Sequence, residues 1–270
     1  MNKYFFCLII LVGLASCSQY EKIRKSTDYQ LKYQKAFEYY NKADYVRSGQ
    51  LFDDIVSVFR GTTKADTVFY YQAMSYFKQR DYLSASHYFT SIFKNSPSSP
   101  FAEEAEFLTG YCYYKQSPRA ELDQDATYMA IETFQMFMIR HPSSQYRGEC
   151  QQYLSEMQDK LVDKSYISAK LYYDLSQYKA SIVALNNSLN DYPETKYREE
   201  LMYLLLKSSY LLAENSIIAK QKERYQSALD EYYSFIGEFP KSRYVRDVEQ
   251  MYEKVDRYLK AKGSDDDLDE

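Results

Sequence analysis

The chain has 270 residues, with 34 basic and 38 acidic side chains, a formal charge of −4, 32 tyrosines, 15 phenylalanines, no tryptophan and seven glycines. Near-neutrality without a basic stripe argues against nucleic acid as a partner, and scattered glycines leave no loop able to cradle phosphate. The two histidines and four cysteines form no cluster with metal-ligand spacing, and no catalytic constellation is found, so a non-enzymatic protein without metal or cofactor is expected.

The N-terminus comes first. Lys3 precedes an apolar run from Tyr4 to Leu14, too short to cross a hydrocarbon core of about 30 Å as a helix. Leu14-Ala15-Ser16-Cys17 follows. A basic start, a short apolar segment and a small-residue cleavage site predict a signal peptide over residues 1–16. The cysteine directly after it resembles a bacterial lipobox, which makes Cys17 the lipidation site and residues 17–30 a lipidated linker. Each buried acyl CH₂ contributes about 0.8 kcal/mol, so several chains anchor the protein firmly to a membrane without spanning it.

From residue 31 a repeat takes over. Tyr39, Tyr76, Tyr113 and Tyr172 lie three residues after Ala36, Ala73, Gly110 and Ala169, and Tyr210 continues the series after Lys207, at separations of 37, 37, 59 and 38 residues. Each tyrosine is followed by marks at helical spacing: Tyr45/Ser48/Phe52, Tyr82/Ala85/Phe89, Thr127/Ala130/Phe134, Tyr178/Ser181/Leu185 and Tyr225/Ala228/Tyr232. Pro97, Pro142, Pro193 and Pro240 close the last four runs. Small residues at fixed places let two helices cross closely, and proline stops the second one. The pattern resembles the tetratricopeptide (TPR) repeat, so an all-α, TPR-like α-solenoid of about five helix-turn-helix repeats is expected.

Residues 31–142 then hold repeats 1–3, with a polar insertion at 117–125; residues 143–262 hold a long helix and repeats 4–5. Residues 263–270, opened by Gly263-Ser264 and rich in acid, read as a disordered tail. Cys112 and Cys150 read as small buried hydrophobes rather than a bridge. His87 lies on a predicted second helix, and His141 occupies the place before proline held elsewhere by Ser96, Tyr192 and Phe239, a packing slot. Glu103/Glu104 and Glu199/Glu200 open helices, where acid favours the dipole.

The lipobox, five repeats, the run Tyr111-Cys112-Tyr113-Tyr114-Lys115-Gln116-Ser117-Pro118-Arg119, the helix with Asp159-Lys160-Leu161 and Asp191-Tyr192-Pro193-Glu194-Thr195 together resemble the BamD (YfiO) family, in its Bacteroidetes form. That resemblance implies a periplasm-facing outer-membrane lipoprotein of the β-barrel assembly machinery. Its implied partners are a BamA-type barrel, through POTRA domains, and unfolded outer-membrane barrel proteins. The N-terminal repeats would take substrate, with Tyr40, Tyr70, Tyr71, Tyr114 and Arg119 as groove candidates; each can equally be a packing or surface residue. The C-terminal repeats would take the barrel subunit, with Asp191, Glu194, Lys196 and Arg198 as contacts. Asn190 stands where some relatives carry arginine, so these four must serve differently. The rivals are another lipid-anchored TPR adaptor of the cell envelope, for division or peptidoglycan, and a SusD-like glycan binder, which the absence of tryptophan disfavours.

Overall fold

The computed structural model describes residues 19–266; the predicted signal peptide and the predicted lipidation site Cys17 lie outside the described residues. Among the described residues there are helices and no strands. A short helix α1 (19–25) leads into α2 (Tyr29–Asn41), α3 (Tyr45–Phe59), α4 (Ala65–Lys78), α5 (Tyr82–Asn95), α6 (Ala102–Gln116) and α7 (Asp125–Arg140). Then follow α8 (Arg147–Asp174), α9 (Tyr178–Asp191), α10 (Arg198–Glu214), α11 (Ile218–Glu238) and α12 (Val245–Asp266). Each consecutive pair α2/α3, α4/α5, α6/α7 and α10/α11 is one repeat, helix A then helix B, and the end of α8 pairs with α9 as another. The all-α, TPR-like solenoid is therefore present.

Two compact units divide the chain: one runs up to Pro118 and adds Gln124–Met157, the other holds Arg119–Asp123 and continues from Gln158. The division falls inside α8 rather than at residue 143.

In the first unit the crossing points are the predicted small residues. Ala36, Ala73, Ala85 and Ala130 are fully buried, and Phe52, Phe89 and Phe134 fill the space beside them. In the second unit Ala169, Ser181 and Ala228 take the same places, with Leu185 and Phe235 in the core. The fifth mark is corrected by one residue. Ser48 and Ser75 meet at 3.2 Å between Oγ atoms, and Ser181 and Ser208 repeat that contact at 3.0 Å. Ser208 is thus the counterpart of Ser75, which puts the buried Leu206 where Ala73 stands, so the fifth mark moves from Lys207 to Leu206 and is not a small residue. Lys207 instead reaches the Tyr203 hydroxyl and Asp247, and Tyr210 turns into the core.

The turns from A to B use Asp44 and Asp81 as N-caps, whose carboxylates accept from Arg47 and Ser84 N–H. Ala43, Arg80 and Ser176 hold the left-handed C′ position at φ 59°, 62° and 57°, a conformation with a steric cost for non-glycine residues. Their followers Asp44, Asp81 and Gln177 donate back to Tyr39, Tyr76 and Tyr172 carbonyls, closing Schellman turns.

Two expected boundaries shift. Residues 19–25, read as linker, form a helix because Tyr20 and Ile23, three apart, cover Leu51 and Ile55 on the open side of the first repeat; Tyr20 also donates to Gln50 Oε1 at 2.5 Å. At the other end α12 runs on to Asp266, through Gly263 and Ser264. One glycine costs a helix only about 1 kcal/mol, too little to end one already propagating.

The return from B to the next A carries a pattern that the sequence reading did not use. Pro97, Pro142, Pro193 and Pro240 are followed at +2 by Ser99, Ser144, Thr195 and Ser242, and at +4 by Phe101, Tyr146, Tyr197 and Tyr244. The residue before each proline leaves helical geometry, with φ between −123° and −134° and ψ between 60° and 70°, as the proline ring requires. The +2 hydroxyl then accepts the +4 backbone N–H at 3.0–3.3 Å. This turn aims the +4 ring at a ring on the preceding A helix. Tyr70/Phe101, Phe107/Tyr146, Tyr166/Tyr197 and Tyr203/Tyr244 stack with centroids 3.9–4.3 Å apart and planes within 15°. In the first repeat Thr62 is the hydroxyl and Lys64 replaces the ring, its Nζ 4.6 Å from the Tyr33 centroid.

A Cβ on Gly110 would lie 2.7 Å from Phe134 Cε1, whereas one on Gly237 would meet nothing within 4 Å. Gly110→Ala should therefore destabilise by about 1–3 kcal/mol, and Gly237→Ala should stabilise by about 0.5–1 kcal/mol. Thermal unfolding followed by circular dichroism separates the two signs; a neutral Gly110→Ala would contradict the A/B crossing described.

Candidate functional site

Each stacked turn places an acid at the third position of the following A helix: Glu104, Glu149, Glu200 and Asp247, seven residues after the prolines. The helix dipole favours anions there, and the tyrosines of the preceding A helix find them. Tyr166 donates to Glu200 at 2.9 Å and Tyr203 to Asp247 at 2.6 Å. Burial raises the Tyr70 hydroxyl well above its usual range, and the Glu104 carboxylate beside it adds to the shift.

In the first unit three of the five groove candidates come together. Tyr71 lies edge-on to Tyr40 at 4.9 Å and to Tyr70 at 5.5 Å, so α2, α4 and, through Glu104, α6 contribute to one aromatic patch. Burial pushes Tyr40 up to about 12; its phenol stays neutral and serves as hydrogen-bond donor and apolar surface. Tyr114 belongs to a second patch in the same unit, 4.5 Å from Tyr153 and donating to Glu156 at 2.5 Å, a bond that pushes it up to about 12. Arg119 falls in the other unit and is exposed, with Glu121 at 3.8 Å.

In the second unit Asp191, Glu194, Lys196 and Arg198 gather on the turn from α9 to α10, and both cations are paired within the chain, Arg198 half-buried and Lys196 still 59% exposed. Lys196 pairs with Asp163 at 2.8 Å and lies over the Tyr197 ring. Arg198 grips the Glu238 carboxylate through Nε and Nη2, the latter at 2.9 Å, and donates to the Pro193 carbonyl. Asp191 and Glu194 remain exposed.

Beside this turn runs a band of stacked tyrosines and charges that the sequence reading missed. Tyr197 donates to Asp163, Lys170 reaches Glu200 at 3.2 Å, Arg243 sits over Tyr244, and Lys207 reaches Asp247 at 3.1 Å. The recurring proline-to-acid spacing was the signal that could have found it. The band is an inter-repeat brace with its polar edge open to solvent.

His141 packs on Phe137 with centroids 4.9 Å apart, as a packing slot should, and its Nε2 also lies 3.0 Å from the buried Glu106. Cys112 and Cys150 are buried free thiols, and burial pushes both up to about 12. Among the described residues no group of three or more His, Cys, Asp or Glu could hold a metal ion, and no helix is long and apolar enough to cross a membrane.

Tyr203→Phe keeps the stack on Tyr244 and removes only the hydroxyl, so it should cost the second unit about 1–2 kcal/mol. Burial alone would raise Asp247, but hydrogen bonds from Tyr203 and Lys207 outweigh it and hold the carboxyl below its usual range. A depressed carboxylate stabilises above its unfolded value near pH 4 and loses that contribution as pH falls through its folded value. Asp247 is 44% exposed, which keeps its share near about 1 kcal/mol or less. Urea unfolding of both proteins at pH 7 and pH 3 should show the gap closing at the lower pH; a constant gap would refute the carboxylate's part.

The sequence matches the YfiO family, described as an outer membrane lipoprotein, over residues 25–224, well over half of the chain. It is also similar to outer membrane protein assembly factor BamD of Caulobacter vibrioides, at 23% identity over 112 residues, covering 42% of this chain and 37% of that relative. The chain thus spans little more than a third of the length of the curated relative it matches. The match over residues 25–224 settles the family: the chain belongs to the YfiO family of outer membrane lipoproteins.

Proposed function

We propose that the protein is a non-enzymatic scaffold of the outer-membrane β-barrel assembly machinery, lipid-anchored through Cys17 and facing the periplasm. Its first unit receives unfolded barrel proteins and its second unit holds the BamA-type barrel through POTRA domains. The single observation that carries this reading is the family match across both units, and the similarity to an assembly factor supports it. The half-buried Tyr40 and Tyr71 suit an unfolded client, offering edge and face contacts to aromatic side chains, while the buried Tyr70, stacked on Phe101 and held by Glu104, supports them. At the α9–α10 turn Arg198 is braced on Glu238, while Asp191, Glu194 and the Asp163-paired Lys196 are exposed, so the barrel contact here offers both signs of charge.

Two outcomes are expected. Cys17→Ser should move the protein from the membrane pellet to the soluble fraction on fractionation; retention in the membrane would remove the anchor. Replacing Tyr40 and Tyr71 together by alanine should weaken binding of an unfolded barrel client about tenfold, as two interfacial aromatics carry, with helicity by circular dichroism retained. Unchanged affinity in the helical variant would move the substrate surface elsewhere.

A further inference from the structure

Helix α1 follows closely on the predicted lipidation site and is pinned to the first repeat. Tyr20 and Ile23 are buried. The Tyr20 ring meets Tyr39 of α2 edge-on at 5.6 Å, and its hydroxyl donates to Gln50 of α3 at 2.5 Å. The Arg47 guanidinium lies over both rings, 5.3 and 5.7 Å from their centroids. Tyr39 belongs to the last turn of α2 and Arg47 to the first turn of α3, so the pinned end of α1 lies at the turn from A to B. Cys17 is three residues before Tyr20, and that length of chain reaches at most about 11 Å whatever its path. A tether left loose as far as the Asp28 cap would reach about 40 Å. The other face of α1 carries charge. With successive residues turned by about 100°, Lys22 and Lys25 fall opposite Tyr20 and Ile23; both are exposed, and among the described residues neither pairs with an acid. Arg24 beside them is taken by Glu21 at 3.6 Å.

We propose that α1 seats the first repeat on the membrane, holding the A-to-B turn at residues 42–44 against the lipid surface with Lys22 and Lys25 beside the headgroup phosphates. This rests on the reading of Cys17 as the anchor. The occupant follows from the covalent connection: acyl chains on Cys17 stay in the bilayer, so whatever is pinned within about 11 Å of Cys17 meets lipid first. Two uncompensated cations at that place match an anionic headgroup layer. The far end of α3 lies 15 residues along the helix, about 22 Å away, and stands off from the surface. The anchor then orients the first repeat as well as retaining it, which a loose tether would not do.

The test uses the full-length lipidated protein in vesicles of phosphatidylethanolamine and phosphatidylglycerol, doped with a lipid carrying a nitroxide on its headgroup, which quenches fluorescence only near contact. Cys112 and Cys150 are buried and a lipidated Cys17 has no free thiol, so a thiol-reactive dye marks an introduced cysteine alone. At Val46→Cys, an exposed site next to Arg47, the dye should lose its fluorescence; at Thr63→Cys, beyond the far end of α3, it should keep it. Inserting Gly-Ser-Gly-Ser-Gly-Ser between Ser18 and Gln19 leaves the packing of α1 in place but extends the reach to about 32 Å. The Val46→Cys signal should then recover, with the melting temperature unchanged, whereas a helix that only caps the solenoid would give quenching indifferent to the insert. Lys22→Glu combined with Lys25→Glu should restore the signal in part. Both dyes bright in protein that floats with the vesicles, equal quenching of the two, or Val46→Cys quenching that survives the insertion or the charge reversal would overturn the proposal. Protein that does not float would remove the anchor and the seat together.

Discussion

The stacked turn between one repeat and the next is the constraint on which the rest of the structure depends. A proline ends helix B, a hydroxyl two residues on bends the backbone, and the ring two residues further lands on the ring of the preceding A helix. Each such pair contributes about 0.5–1.5 kcal/mol beyond its buried area. Because the pair spans two repeats, it fixes how far the next A helix can rotate and slide. The acid at that helix's third position adds a polar tie in the same place. A solenoid gains stability only from contacts between neighbours, so a device repeated at each return sets the geometry of each unit.

This arrangement explains a composition with 32 tyrosines and no tryptophan. The clasp needs a flat ring that can be half covered and a hydroxyl at its far end; tyrosine supplies both, and phenylalanine serves where no acceptor is reached, as at Phe101 and Phe107. It also explains why charged residues that look available in the sequence are engaged in the fold. Lys196, Lys207 and Arg243 lie over clasp rings or on the acids beneath them. Asp191, Glu194 and Lys196 in the second unit stay exposed, and Tyr40 and Tyr71 in the first stay half-buried.

Much of the fold was legible in the sequence, because close helix crossing tolerates only small side chains and so leaves Ala36, Ala73, Gly110, Ala85 and Ala130 at readable intervals. Legibility failed where a slot can be filled in more than one way. Lys207 sits one residue after Leu206, the true counterpart of Ala73, and the Ser181–Ser208 contact and the Tyr203–Tyr244 stack reveal the register. The helix at 19–25 was missed because two apolar residues, Tyr20 and Ile23, are too short a pattern to signal a helix until the surface they cover is known. Of the candidate site, the neighbourhood of Tyr40, Tyr70 and Tyr71 follows from repeat register alone. The pairing of Lys196 and Arg198 within the chain does not, since Asp163 and Glu238 lie 33 and 40 residues away in sequence.

The role proposed above, a scaffold that holds other proteins in place, rests on the lipoprotein family assignment and a braced helical fold. The central claim is that one of the proteins held is an outer-membrane barrel with POTRA domains. Affinity purification of the lipidated protein from mild-detergent extracts, followed by mass spectrometry, tests it most directly. The account predicts such a barrel as the main stoichiometric partner; recovery of division or peptidoglycan factors without it would contradict the account and make the protein an envelope adaptor of another kind.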